Sequence, residues 1–176
     1  MRIGATPCTG PRFARPPAHF FIAKIFATRY TARMAYETSR EIAATPEQVF
    51  AAISDPERFA RWWGPAGFTN TFKVCDFRPG GTWSYTMYGP NGHAYANESV
   101  FAEIDPPRKL VIEHVSEPKY RLTITLTPTP AGTRVGWVQD FKNPETGRKL
   151  AKIVVPANEQ NLDRLTAEVT GAAGVT

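Results

Sequence analysis

The chain is expected to fold as an α+β domain, with one antiparallel sheet of seven strands and its helices gathered on one face. Three observations predict this. The elements run strand, two short helices, six strands, long helix. The six later strands are joined by short turns, which makes consecutive strands antiparallel neighbours. A strongly twisted sheet of that width curls, so a long helix laid across its concave side closes a cavity.

The first strand is "AYETSREIAA", which alternates from Tyr36 onward. "ATPEQVFAAIS" then opens a helix: Thr45 suits the N-cap, Pro46 the first helical position, and Gln48 stands at capping-box spacing. "SDPERFARWW" restarts with Asp55 as cap and Pro56 behind it, and Gly64-Pro65 stops it. The six following runs are "TNTFKVCDF", "TWSYTMYG", "HAYANESVFAEI", "RKLVIEHVSE", "YRLTITLTPT" and "GTRVGWVQDF". Turn chemistry separates them, including Pro79-Gly80-Gly81, Gly89-Pro90-Asn91-Gly92 and Pro130-Ala131-Gly132. Gly80 and Gly81 are expected to supply positive φ in their hairpin, and Asp76 and Arg78 to pair locally at the surface. The fourth strand is ambiguous, because a bulge would exchange its Tyr95/Asn97/Ser99/Phe101 face for Val100/Ile104. After Asn143 the pattern turns helical in two pieces, "PETGRKLAKIVV" and "ANEQNLDRLTAEV", interrupted at Pro156. Leu162 and Leu165 are expected to be buried against the sheet.

The 176 residues suffice for one ordinary domain, and 42% hydrophobic with 21% charged residues is a globular balance. Aromatic content of 12% is rich enough to line a cavity as well as a core. Cys8 and Cys75 form no metal-ligand or disulfide pattern, which points to a reducing compartment, hence the cytoplasm. His19, His93 and His114 are scattered, and no HExxH, GxSxG, Walker or GxGxxG motif occurs, so neither metal nor nucleotide cofactor is expected.

Residues 1–33 follow a different grammar. They hold Arg2, Arg12, Arg15, Lys24, Arg29 and Arg33 and no acid; removing these six charges from the net +5 leaves −1 for residues 34–176. The domain proper is therefore near neutral and lacks the electrostatic footprint of a nucleic-acid binder. No apolar run approaches the roughly 20 residues that span a bilayer. Three readings of the basic segment stand open: a start site placed too early, since Met34 opens a complete domain start, a targeting peptide, or an interfacial anchor through Phe20, Phe21, Ile25 and Phe26. The first leads.

"RWWGPAGFT", "CDFRPGGTWSYTMYGPNG" and "EIDPPRKLVIE", in this order and spacing and backed by "GTRVGWVQDF", resemble the START-like (SRPBCC) superfamily. Within it they resemble the activator of heat-shock protein 90 ATPase homologue family. The resemblance runs from Met34 to about Val169. It implies a helix-grip fold with an internal pocket, in which the helix bearing Trp62 and Trp63 caps one end. Fold alone leaves function open among ligand carriers, cyclase- or hydrolase-like enzymes and co-chaperones.

With the concave face set by that resemblance, strand alternation selects the candidate lining. Trp83, Tyr85 and Met87 share a face, as do Leu110, Ile112 and His114, then Leu122, Ile124 and Leu126, then Val135, Trp137 and Gln139. The candidate ligand-binding residues are Trp62, Trp63, Trp83, Tyr85, Met87, Tyr95, His114, Trp137 and Gln139, with no catalytic or metal-binding residue assigned. Each large apolar member also has a plain core reading, and His114 that of a buried, hydrogen-bonded histidine with Glu98 or Asp140 within reach. Adjacent helical residues point about 100° apart, so one of the paired tryptophans is expected in the core and the other at the pocket mouth. The expected occupant is a small hydrophobic or aromatic ligand, with a chaperone as the alternative partner and the protein a monomer or homodimer.

Overall fold

The computed structural model describes residues 34–171. Its elements are β1 (Met34–Ile42), α1 (Pro46–Ser54), α2 (Pro56–Trp62), β2 (Thr69–Cys75), β3 (Thr82–Tyr88), β4 (Ala94–Asp105), β5 (Lys109–His114), β6 (Tyr120–Thr129), β7 (Gly132–Phe141) and α3 (Pro144–Thr170). The sheet order is β1-β7-β6-β5-β4-β3-β2, antiparallel throughout. Strands β2 to β7 form a meander, as their short turns require. β1 pairs with β7, so α1 and α2 carry the chain from one sheet edge to the other. This is the expected seven-stranded α+β helix-grip arrangement.

The helix starts follow the capping chemistry. Thr45 Oγ1 accepts from the Gln48 amide at 3.3 Å, and Gln48 Oε1 accepts from the Thr45 amide at 2.9 Å. Asp55 ends α1 and opens α2, taking the amides of Glu57 and Arg58 at 2.9 and 3.2 Å. Asn143 does the same for α3 with Glu145 and Thr146. Gly171, in the left-handed region at φ 67°, closes it.

Two expectations need correction. The two helical pieces around Pro156 are one continuous helix of 27 residues. Proline removes one i→i−4 bond, but Lys152, Val155 and Pro156 are all exposed, so the carbonyl without its donor lies on the solvent side. Gly81 serves close approach rather than positive φ: a Cβ there would stand 1.9 Å from the Asp76 carbonyl oxygen, while Gly80 alone of the pair has positive φ, at 79°. The expected Asp76–Arg78 pair forms at 2.8 Å, at the surface.

The ambiguity of β4 is resolved by a bulge. Its register against β5 shifts between Phe101 and Glu103, so Ser99 and Phe101 before the shift and Ile104 after it all oppose the inward residues His114, Ile112 and Leu110. Leu162 and Leu165 are fully buried in the core that α1, α2 and the concave face share. α3 is tied to edge strand β1 by the Tyr36 hydroxyl donating to the Gly147 carbonyl at 3.1 Å. Arg40 adds ion pairs to Glu159, at 3.0 Å, and to Asp163.

Candidate functional site

The paired tryptophans separate because the helix ends between them. Trp62 is the last residue of α2, while Trp63, its C-cap, is extended at φ −65°, ψ 135°. The Trp62 indole stays in the core, donating to the Ala52 carbonyl at 2.9 Å and packing on Phe59. The Trp63 indole swings toward the sheet and donates to the Tyr85 hydroxyl at 3.0 Å. Its ring centroid lies 5.7 Å from that of Trp137.

Beside this pair is a cavity of about 190 Å³ between α3, the Trp63–Phe68 loop and strands β3 to β7. Six of the nine candidate residues line it: Trp63, Tyr85, Met87, His114, Trp137 and Gln139. Three do not. Trp62 is held in the core as described. Trp83 shares the strand parity of Tyr85, but Phe59 stacks on it at 4.5 Å and Tyr85 at 4.3 Å, so α2 covers that end of the sheet. Tyr95 is 47% exposed near the β3–β4 turn, against Phe68 and His93.

Strand parity alone did not supply the remaining wall. Asn97 lay on the ambiguous strand. Tyr120 opens β6 opposite His114, on the parity of Leu122, which was detectable. Ile153, Ala157, Asn158 and Asn161 come from α3, whose rotation about its own axis no strand pattern records.

The polar groups of the wall divide into satisfied and unsatisfied. Asn161 is satisfied, its Oδ1 accepting from the Gly64 amide at 2.7 Å and its Nδ2 donating to Ala157 at 2.9 Å. Arg164, one turn further, donates to the carbonyls of Gly64, Pro65 and Phe68 at 2.9 to 3.1 Å and to that of Arg61 at 2.5 Å. α3 thus fixes the loop that carries Trp63. By contrast, Gln139 and Asn158, which are 8% and 5% exposed, line the cavity, and their side-chain amides are left to water or a bound molecule there rather than to a partner among the described residues. The buried Trp137 indole N–H also lacks an acceptor. Tyr85 accepts from Trp63, but its own proton has no acceptor among these residues.

His114 is 2% exposed and faces neutral oxygens rather than the carboxylate of Glu98. Nδ1 lies 2.9 Å from the Pro118 carbonyl, which only accepts, so this nitrogen carries the proton. Nε2 faces Ser116 Oγ at 3.3 Å and Asn97 Oδ1 at 3.1 Å. Glu98 contributes through its backbone amide, which donates to Ser116 Oγ. Burial pushes the His114 pKa below its ordinary value, against the opposing pull of Pro118, Ser116 and Glu117. Tyr120 stacks on the imidazole at 4.5 Å, nearly parallel. Burial pushes the hydroxyls of Tyr85 and Tyr120 up, so both stay protonated.

Comparison with known proteins decides the family. The family model described as "Activator of Hsp90 ATPase homolog 1-like protein" matches residues 43–170, well over half of the chain. The chain belongs to this family. Its fold recurs in a protein from Arthrobacter aurescens, known from a solution NMR structure, at 25% identity and TM-score 0.75, over 81% of this chain and 90% of that one. A protein from Nitrosomonas europaea matches at 20% identity and TM-score 0.71, over 80% and 96%. An AHSA1-like protein from Aeromonas hydrophila matches at 21% and 0.65, over 79% and 94%. No curated protein matches the chain. Among the described residues of this family member, no three His, Cys, Asp or Glu side chains group as metal ligands, and no helix is long and apolar enough to cross a membrane.

Proposed function

We propose that this family member binds a small, largely apolar organic molecule in the cavity beneath α3. The observation that supports this best is the make-up of the wall: rings from Trp63, Tyr85, His114, Tyr120 and Trp137, with a few amides set among them. Apolar walls give affinity and sparse polar groups give orientation. An interaction with Hsp90, which the family description suggests, would act through the outer surface and leave this cavity without a role. Catalysis in the cavity would need a free proton-transfer group, and both ring nitrogens of His114 already face oxygens of the protein.

Native mass spectrometry of the gently purified full chain tests the reading. A bound small molecule is expected, and it should be lost in Ala157→Phe, which fills the cavity from α3. A mass that persists in the filled variant, or a protein that carries and takes up no small molecule, sinks the proposal. His114→Gln separates binding from catalysis: a binding protein keeps its ligand, losing about tenfold in affinity at most, whereas an enzyme using the imidazole would lose turnover by roughly a hundredfold or more while still binding.

A further inference from the structure

We infer that the cavity selects a neutral, single-ring molecule presenting a carbonyl-type hydrogen-bond acceptor, and that it rejects ionised ligands of the same size. This rests on the binding role proposed above and specifies what is bound.

Size sets the first limit. A cavity of about 190 Å³ is below the range of roughly 300–1,000 Å³ that serves drug-sized ligands, and an apolar cavity of about 150 Å³ is known to accept benzene. One ring with a small substituent fills the enclosed part of this cavity, which opens to solvent beside the exposed Ile153. The wall suits such a ring, since Trp63 and Trp137 offer aromatic surface.

Charge sets the second. No Lys, Arg, Asp or Glu lines the cavity. An ionised ligand would surrender its hydration and meet no counter-charge, which is costly. Arg164 does not supply one, because its guanidinium is spent on the carbonyls of the Arg61–Phe68 segment.

The unmet hydrogen bonds set the third. The Trp137 N–H and the Tyr85 O–H are donors without acceptors among the described residues, and the Gln139 and Asn158 amides each bring two N–H donors and one oxygen. Each amide balances its two N–H donors with the two lone pairs of its oxygen, and the Tyr120 hydroxyl, also on the wall, can serve either way. The Trp137 N–H and the Tyr85 proton can only donate, so they tip the balance toward unmet donors. A buried polar group left unpaired is expensive, so the preferred occupant supplies what is scarce: an oxygen that accepts. A carboxylate also accepts, but it brings the charge that this wall does not balance.

Four single-ring probes test this on the full chain by calorimetry and by protein-observed NMR: benzamide, benzoate, benzylamine and toluene. At neutral pH, benzamide should bind about tenfold or more tighter than benzoate and benzylamine. Gln139→Leu and Asn158→Leu should each weaken benzamide by about fivefold while leaving toluene within about twofold, which shows that the cavity persists in the variants. Benzoate or benzylamine matching benzamide overturns the inference, as does toluene binding equally well, and in either case the binding role itself stands. Failure of all four probes to bind overturns the inference alone if native mass spectrometry still finds a bound small molecule, and removes the binding role with it if none is found.

Discussion

The Trp63–Tyr85 hydrogen bond links the end of α2 to the middle of β3 inside a stack of rings. Tyr85→Phe keeps the ring and removes the acceptor, so the Trp63 N–H is left buried and unpaired. The expected cost is about 1–3 kcal/mol, read as a lower urea midpoint with an unchanged slope. Trp62→Phe should cost less at this contact, because the Ala52 carbonyl it frees has a second lone pair and lies in a helix. His114 adds a pH dependence. Its folded-state pKa lies below the ordinary 6.5 because burial disfavours the cation. Between the two values the unfolded chain holds a proton that the folded chain does not, so stability is fully present above 6.5 and falls as pH drops through the folded value. Glu168 contributes its own acid loss, since Arg61, and then Arg58, hold its carboxyl below the ordinary 4.5. Thermal unfolding scanned from about pH 7.5 to about pH 5 stays clear of that second loss. His114→Gln should flatten the fall of Tm over this interval; a variant with the wild-type slope would show that another group carries it.

Two features of α3 make predictions at the scale of the element. Pro156 sits inside the helix on its exposed side. Pro156→Ala restores one backbone bond and removes a ring clash, a gain of up to about 3 kcal/mol that the looser unfolded chain reduces. A net stabilisation of about 1–2 kcal/mol is expected in urea unfolding, and destabilisation would mean that the native helix is shaped around the proline. Arg164 gathers the carbonyls at the end of α2 and through the following loop. Arg164→Met should cost about 2 kcal/mol through the loss of charge-assisted bonds, and the Gly64 amide should exchange faster with solvent. Helix caps were legible where each rests on a local rule, as at Thr45 and Asp55. Pro156 was misleading for the same reason: a local breaker signal was overruled by packing on both sides of it, at Gly147 before and at Asn158, Leu162 and Leu165 after.

At the scale of the whole molecule, strand parity identified Tyr85, Met87, His114, Trp137 and Gln139 on the cavity, because period-two alternation survives wherever the sheet is unbulged. It did not say where the core ends and the cavity begins. Trp83 and Tyr85 share one face of β3, and only the position of Phe59 on α2 assigns Trp83 to the core. Asn158 was likewise beyond reach, since it depends on how α3 is rolled onto the sheet. The same molecule-wide accounting bears on residues 1–33, which lie outside the described residues. We propose that they add nothing to the stability of the domain. Among the described residues the buried core runs from Ile42 to Leu165, and β1 has its full pairing with β7 from Met34. The charges differ as well, with six cations and no acid before Met34 and a balance of −1 after it. A chain beginning at Met34 should therefore unfold within about 2 °C of the full chain, a shift corresponding to less than about 1 kcal/mol at this size. Circular dichroism melts of the two proteins, at matched concentration and salt, make the comparison. A loss of several degrees would show that the basic segment packs on the domain. An unchanged melt leaves it free to act as an address or a membrane contact, which a fluorescent fusion of residues 1–33 would reveal by leaving the cytosol.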